Sequence, residues 1–248
     1  MGELRVLVLG VGDAFSAHHH TTSFLVQADG CTLGLECPDS LPRVLRLATA
    51  RAGLRLGVEA IDHVLVTHLH GDHSNGLEGL ACLKRFREGK KLSLLLPPEL
   101  QPELWEHRLQ AAMGRVFDGS RYHDQGFADY FELVPLSWEG PTQVGPFSIR
   151  IRPNRHHVPA HAVLIGAGDR TFGYSGDTAQ DEAGLEFLLA ADLIAHEANR
   201  GPGHTPYAWL AAQPPAVREK LRLVHCPDDF DPGSDGLPLL REGDWLTI

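Results

Sequence analysis

The sequence has little that would support a disulfide framework. Its four cysteines, Cys31, Cys37, Cys82 and Cys226, include no Cys-x-x-Cys pair in 248 residues. Basic residues are also short, 22 Lys and Arg against 32 Asp and Glu, for a formal net charge of −10. Such a surface repels nucleic-acid phosphates at long range, so long nucleic acid is not an expected partner. No apolar run approaches the roughly 18 residues of a membrane-spanning helix. The apolar stretch at 4–11 is interrupted by Arg5 and runs into polar residues, unlike a signal peptide. Internal repeats, low-complexity linkers and any composition break are missing too, so residues 1–248 read as one domain. Gly10-Val11-Gly12 lacks the third glycine and the following helix of a dinucleotide fingerprint. With 43% hydrophobic and 22% charged residues, the expectation is a cytoplasmic globular protein with a sizeable core and no membrane partner.

What the chain has in excess is histidine, 15 in all. Histidine is the commonest metal ligand and titrates near neutrality, but only spacing can give the number meaning. Apolar runs and turn signals predict strands near 4–10, 22–28, 32–36, 61–67, 92–96, 131–136, 147–152, 162–166, 171–175, 192–196, 221–225 and 245–248. Helical spacing predicts helices over 41–52, 76–87, 99–113, 181–190 and 206–221, the last broken at Pro214-Pro215. The stretch 114–130 gives no clear pattern. Strands interleaved with helices, and hairpins at both ends, suggest sheets covered by helices.

Thr67-His68-Leu69-His70-Gly71-Asp72-His73 places four potential ligands within six residues, directly after a strand. On a loop, His68 and His70 can turn to one metal while Asp72 and His73 turn to another. A solvated His-rich loop rarely carries an acid at this spacing behind a buried strand.

This segment resembles the His-x-His-x-Asp-His signature of the metallo-β-lactamase superfamily, in its ribonuclease Z-like and phosphodiesterase branch. The later motifs occur in the family's order. Asn154-Arg155-His156-His157-Val158-Pro159-Ala160 matches the third, where the resemblance picks His156, three residues before the proline, with His157 as runner-up. Tyr174-Ser175-Gly176-Asp177-Thr178 matches the aspartate motif and Leu223-Val224-His225 the last histidine. The resemblance implies an α/β fold, a four-layer αββα sandwich with its metals at one edge between the sheets. One divalent ion would take His68, His70 and His156, and the other Asp72, His73 and His225. Asp177 and an activated water would lie between them. Ligands of nitrogen and oxygen alone point first to zinc, with manganese or iron as alternatives. His70 in place of glutamate argues against the diiron oxygen-reducing relatives. Asp177 in place of cysteine argues against antibiotic hydrolysis.

A second cluster, Ala195-His196-Glu197-Ala198 and Gly203-His204-Thr205-Pro206, resembles a motif pair of the same branch. There a glutamate orients a histidine that protonates the leaving group, roles that would fall here to Glu197 and His204. The match is imperfect, His-Thr-Pro standing where those enzymes have His-Ser-Thr. His18-His19-His20 is read first as a polar loop, with His18 and His20 as alternative substrate contacts. His157 and His161 are candidates to contact substrate or steady a ligand, as is His196. His63, His107 and His123 are read as surface or structural residues. The implied function is hydrolysis of a small phosphodiester, such as a cyclic nucleotide or short oligonucleotide. Ester, lactone or thioester hydrolysis is the alternative. Ribonuclease Z-type cleavage is a further one, disfavoured because 96–144 holds no basic arm and carries Glu99, Glu103, Glu106, Asp118, Asp124, Asp129 and Glu132. A scaffold that binds metal without turnover is a third class, weakened by all seven ligand positions being filled. A homodimer is left open.

Overall fold

The computed structural model describes residues 3–248. In chain order the first half gives β1 (Arg5–Gly10), β2 (Ser23–Ala28), β3 (Cys31–Leu35), β4 (His63–Leu65), β5 (Leu92–Leu96), β6 (Arg115–Phe117), β7 (Tyr122–Asp124) and β8 (Phe131–Pro135). The second half gives β9 (Thr142–Val144), β10 (Phe147–Pro153), β11 (His161–Ala167), β12 (Arg170–Tyr174), β13 (Leu193–Glu197) and β14 (Leu221–Val224), and β15 (Trp245–Thr247) closes the chain. One sheet has the order β15-β1-β2-β3-β4-β5-β8 and the other β14-β13-β12-β11-β10-β9.

Both sheets are antiparallel on one side and parallel on the other. The hairpin of β2 and β3 pairs Phe24 with Leu35 and Val26 with Leu33. It turns on Asp29-Gly30, both at positive φ, where glycine is free of the Cβ penalty. Strands β3, β4, β5 and β8 run parallel, as do β12, β13 and β14. Parallel strands buried on both faces read as continuous apolar runs, as Leu92-Ser93-Leu94-Leu95-Leu96 does.

Side-chain alternation builds three apolar layers from these sheets. Val6, Val8, Phe24 and Val26 face Ile165, Phe172 and Tyr174 between the sheets. The Phe24 ring meets Phe172 and Tyr174 edge-on, with centroids 5.5 and 5.3 Å away. Burying each such ring contributes about 2–3 kcal/mol. Leu7, Leu9 and Leu25 point the other way, under helix Leu41–Arg51 and the helical segments from Leu77 and Leu100. Ala162, Leu164, Ile194 and Leu223 pack under helices Glu182–Leu188 and Tyr207–Ala211. This is the four-layer αββα sandwich expected from the sequence.

The departures are local. Residues 114–130, unreadable by pattern, form the β6–β7 hairpin and a short helix, Phe127–Tyr130, with the Asp129 carboxylate accepting the Gly126 N–H. The two expected helices over 76–87 and 99–113 each contain a π turn, Lys84–Glu88 and Trp105–Leu109. The Pro214-Pro215 break is complete, and helix Pro215–Arg218 starts afresh. Strand β9 was not expected. Among the described residues no helix is long and apolar enough to cross a membrane.

Candidate metal centre

Parallel strands end together, and the centre sits where they end. Residues just past β4 supply His68, His70, Asp72 and His73. Past β12 comes Asp177, at the end of β13 stands Glu197, and past β14 comes His225. Residues 68–70 form irregular loop ending in an extended His70, whereas Gly71–Ser74 is one helical turn rather than open loop. That turn is closed by the His73 and Ser74 N–H groups donating to the His70 carbonyl, and it sends Asp72 and His73 to a common side. Gly176 has a φ of 56°, and a Cβ there would lie 2.5 Å from the His161 carbonyl oxygen, so this turn requires glycine. Asn154 ties two motifs, donating from Nδ2 to the Ser175 and Asp177 carbonyls at 2.7 and 3.0 Å.

The side chains converge in two adjoining sets. In the first, His70 Nδ1 lies 3.2 Å from His68 Nε2 and 3.1 Å from His156 Nε2. Asp177 Oδ2 is 3.7 Å from both of those Nε2 atoms. In the second, His73 Nε2 is 3.1 Å from Asp72 Oδ2 and 3.4 Å from Asp177 Oδ1. His225 Nε2 is 3.2 Å from Asp177 Oδ2 and 4.0 Å from Asp72 Oδ2. Asp177 thus touches both sets, each compact enough to hold an ion.

The donor chemistry fits divalent cations. The Thr67 hydroxyl donates to Glu36, so its oxygen accepts the Nδ1–H of His68 at 3.0 Å. That tautomer leaves His68 Nε2 as a lone pair. His156 Nδ1–H donates to the Gly203 carbonyl at 2.8 Å, which leaves its Nε2 as a lone pair too. Both lone pairs aim at His70 Nδ1, which can carry one proton at most, whereas a single cation satisfies all three nitrogens. In the second set His73 Nε2 and Asp177 Oδ1 are buried without a hydrogen-bond partner, a costly condition unless an ion lies between them.

Electrostatics point the same way. Burial holds the His68 imidazole well below its ordinary pKa and brings His156 down to about 4, so both stay neutral and able to ligate. Burial also opposes the His73 cation, but the Asp177 and Glu36 carboxylates outweigh it and hold its pKa well above the usual value. A cation in the second set would take over that role from the proton.

Glu36 is the functional residue that pattern reading missed. It is buried at the end of β3 with a left-handed φ of 67°. Its carboxylate accepts the Thr67 N–H and hydroxyl, and Oε1 lies 3.1 Å from His73 Nδ1. One acid therefore orients His68 through Thr67 and sets its charge against His73. The signal available was a lone acid closing an apolar strand. Replacing Glu36 with glutamine keeps the shape but turns an amide N–H2 or a lost charge toward Thr67 and His73. We expect about a 10- to 100-fold loss of metal affinity, measured by chelator competition.

The remaining candidates divide. Glu197 Oε2 accepts the Nδ1–H of His204 at 2.8 Å, and the His204 ring lies beside His156 and His225, with centroids 5.2 and 5.8 Å away. Burial and then the neighbouring Asp177 carboxylate push the Glu197 carboxyl well above its usual pKa, and a cation beside Asp177 would cancel the second cause. His157 borders the first set, its ring 5.0 Å from that of His156 and turned outward. His161 is buried beneath the loop, with Nδ1–H donating to the Thr67 carbonyl at 2.8 Å. His196 does not steady a ligand. Alternation along β13 turns it to the outer layer, where Nδ1 donates to the Glu197 carbonyl at 2.8 Å. His18 and His20 stay on the β1–β2 loop, and no ligand cluster among the described residues includes either. His63, His107 and His123 bond to Ser93, Glu103 and Asp118, away from the centre.

Two helix-covered sheets with a His/Asp centre at the parallel strand ends define a metal-dependent hydrolase of metallo-β-lactamase fold. The metallo-beta-lactamase fold protein YhfI from Bacillus subtilis superposes with a TM-score of 0.76 at 19% identity, over 99% of this chain and 100% of that one. Unliganded yeast PDE1 does so with a TM-score of 0.73 at 13% identity, over 100% of both chains. The family model described as anti-Pycsar protein Apyc1 matches residues 4–238. The anti-Pycsar protein Apyc1 of Bacillus phage BSP38 is 32% identical over 240 residues, 92% of this chain and 90% of that protein. The chain belongs to the anti-Pycsar Apyc1 family.

Proposed function

We propose that the chain is a dinuclear phosphodiesterase acting on a small phosphodiester, with a cyclic nucleotide as the best fit. The observation that carries this reading is the Glu197–His204 pair, at 2.8 Å, beside the two ligand sets. Hydrolysis of an alkyl phosphodiester expels a poor leaving group, which needs a proton. Thioester hydrolysis, which releases a thiolate, has no such requirement, and a lactone, which also releases an alkoxide, is distinguished by direct comparison of substrates. An anti-Pycsar name for its relatives and a fold shared with yeast PDE1 support the same direction.

His68, His70 and His156 would hold one cation, Asp72, His73 and His225 the other, with Asp177 shared. Such cations supply Lewis acidity and lower the pKa of water to about 7. The protein's own groups do the rest. Glu36, Thr67 and the Gly203 carbonyl fix the ring tautomers. Glu197 holds His204 by Nδ1, which leaves Nε2 facing the centre to give a proton to the departing oxygen. The acidic outer surface disfavours long RNA, while two cations at the centre offset repulsion of one phosphate.

The test compares a cyclic nucleotide, a bis-nitrophenyl phosphate, a lactone and a precursor transfer RNA at low salt. Hydrolysis of the first two, with little of the others, is expected. Faster lactone than phosphodiester turnover would transfer the assignment to acyl hydrolysis.

A further inference from the structure

Arg108 belongs to the π turn Trp105–Leu109, on a helical segment that crosses behind the ligand-bearing loop. A π turn adds about one residue, which rotates later side chains by about 100° relative to a straight helix. In this phase the guanidinium reaches the loop at two points. One Nη donates to the Leu69 carbonyl and the other to Asn75 Oδ1. Leu69 separates His68 from His70. Asn75 closes the helical turn carrying Asp72 and His73, its N–H donating to the Gly71 carbonyl at 2.9 Å. One planar group therefore spans both halves of the segment that feeds the two ligand sets. A second tie from the same helical segment acts at the loop's start. There Glu99 lies 2.9 Å from His161 Nε2, whose Nδ1–H holds the Thr67 carbonyl.

We propose that Arg108 is a positioning residue that presets the His68–His73 segment for its cations. It rests on the metal-binding reading above. The two acceptors that it grips are neutral, so the fork itself fixes geometry, while the nearby Asp72 carboxylate adds a favourable charge on the same segment. A lysine ammonium, a single point on a flexible stem, cannot reproduce a planar two-point grip. The loop without this clamp would have to be ordered when metal binds, and affinity would fall by that cost.

The experiment titrates metal-free protein with cobalt(II) against a chelator, for the wild type, Arg108→Ala and Arg108→Lys. Arg108→Ala should weaken cobalt binding about 10- to 100-fold, the range for groups that orient ligands. Arg108→Lys should recover little of it. The cobalt visible absorption should shift in both, and at saturating metal kcat should fall with KM little changed. Asn75→Ala, which removes one acceptor, should weaken binding in the same direction and decides the matter if Arg108→Ala does not fold. Unchanged affinity and spectrum in the variants overturn the proposal. So does a raised KM alone, which would make Arg108 a substrate contact. A wild type that takes up no cobalt defeats the metal reading instead, so the two failures are distinct.

Discussion

Asp177→Asn should lower kcat/KM by roughly 10³-fold or more, since losing several kcal/mol of charge stabilisation costs about a factor of ten per 1.4 kcal/mol. If the proposed pair of cations is bound, the substitution should also reduce metal content from two ions per chain to one or none. The reason lies in the position of this one carboxylate. Oδ2 stands 3.7 Å from His68 Nε2 and from His156 Nε2, and 3.2 Å from His225 Nε2, while Oδ1 stands 3.4 Å from His73 Nε2. Among the described residues it is the acid whose oxygens lie within 4.0 Å of imidazole nitrogens in both sets. Burial opposes its ionisation, but His225 and His73 outweigh burial and hold its pKa well below the carboxylate range. The group is therefore charged at any working pH. An asparagine has the same outline, yet it offers no charge and turns N–H2 toward imidazoles that already need a cation. Elemental analysis of the purified variant, together with restoration trials in zinc and manganese, checks the outcome. A variant that keeps two ions and near-normal turnover would remove the shared-ligand assignment.

Much of this centre was legible because metal ligation demands particular residue types. His68, His70, Asp72 and His73 fall in one short stretch, and the strand before them is apolar. Strand and helix periodicity indicated sheets covered by helices, and the four-layer αββα plan came from the family resemblance. The choice between His156 and His157 was open in the sequence, because neighbouring histidines are chemically alike. The structure turns His156 inward, where its Nδ1–H reaches the Gly203 carbonyl across 47 positions of chain. Glu36 and Arg108 were illegible for a different reason. Each acts through tertiary contacts, with Thr67 and His73 or with Leu69 and Asn75, and neither has a distinctive spacing. Arg108 is further hidden by its π turn, which shifts the phase that helical periodicity assumes. The β6–β7 hairpin has an exposed, alternating pattern too short to register, and its turn depends on the Asp118 carboxylate accepting the Ser120 and Arg121 N–H groups.

His204→Ala should cost about 10²- to 10⁴-fold in kcat on phosphodiesters with alkoxide leaving groups, the usual worth of general acid catalysis. On a bis-nitrophenyl phosphate, whose phenolate departs without a proton, the loss should be small. The contrast isolates proton delivery from metal binding, because His204 is not needed to complete either set of four groups. Its Nδ1 is committed to Glu197 at 2.8 Å, and its ring stacks 5.8 Å from His225 at 24°. Glu197→Gln should follow the same substrate pattern with a smaller loss. The glutamine can still accept the Nδ1–H, but it no longer stabilises the charged ring. Because Glu197 also accepts the Thr178 N–H beside Asp177, its variant needs a metal count alongside the rates. If both substrates slow equally in His204→Ala, while metal content stays at the wild-type level, the histidine shapes the site and carries no proton.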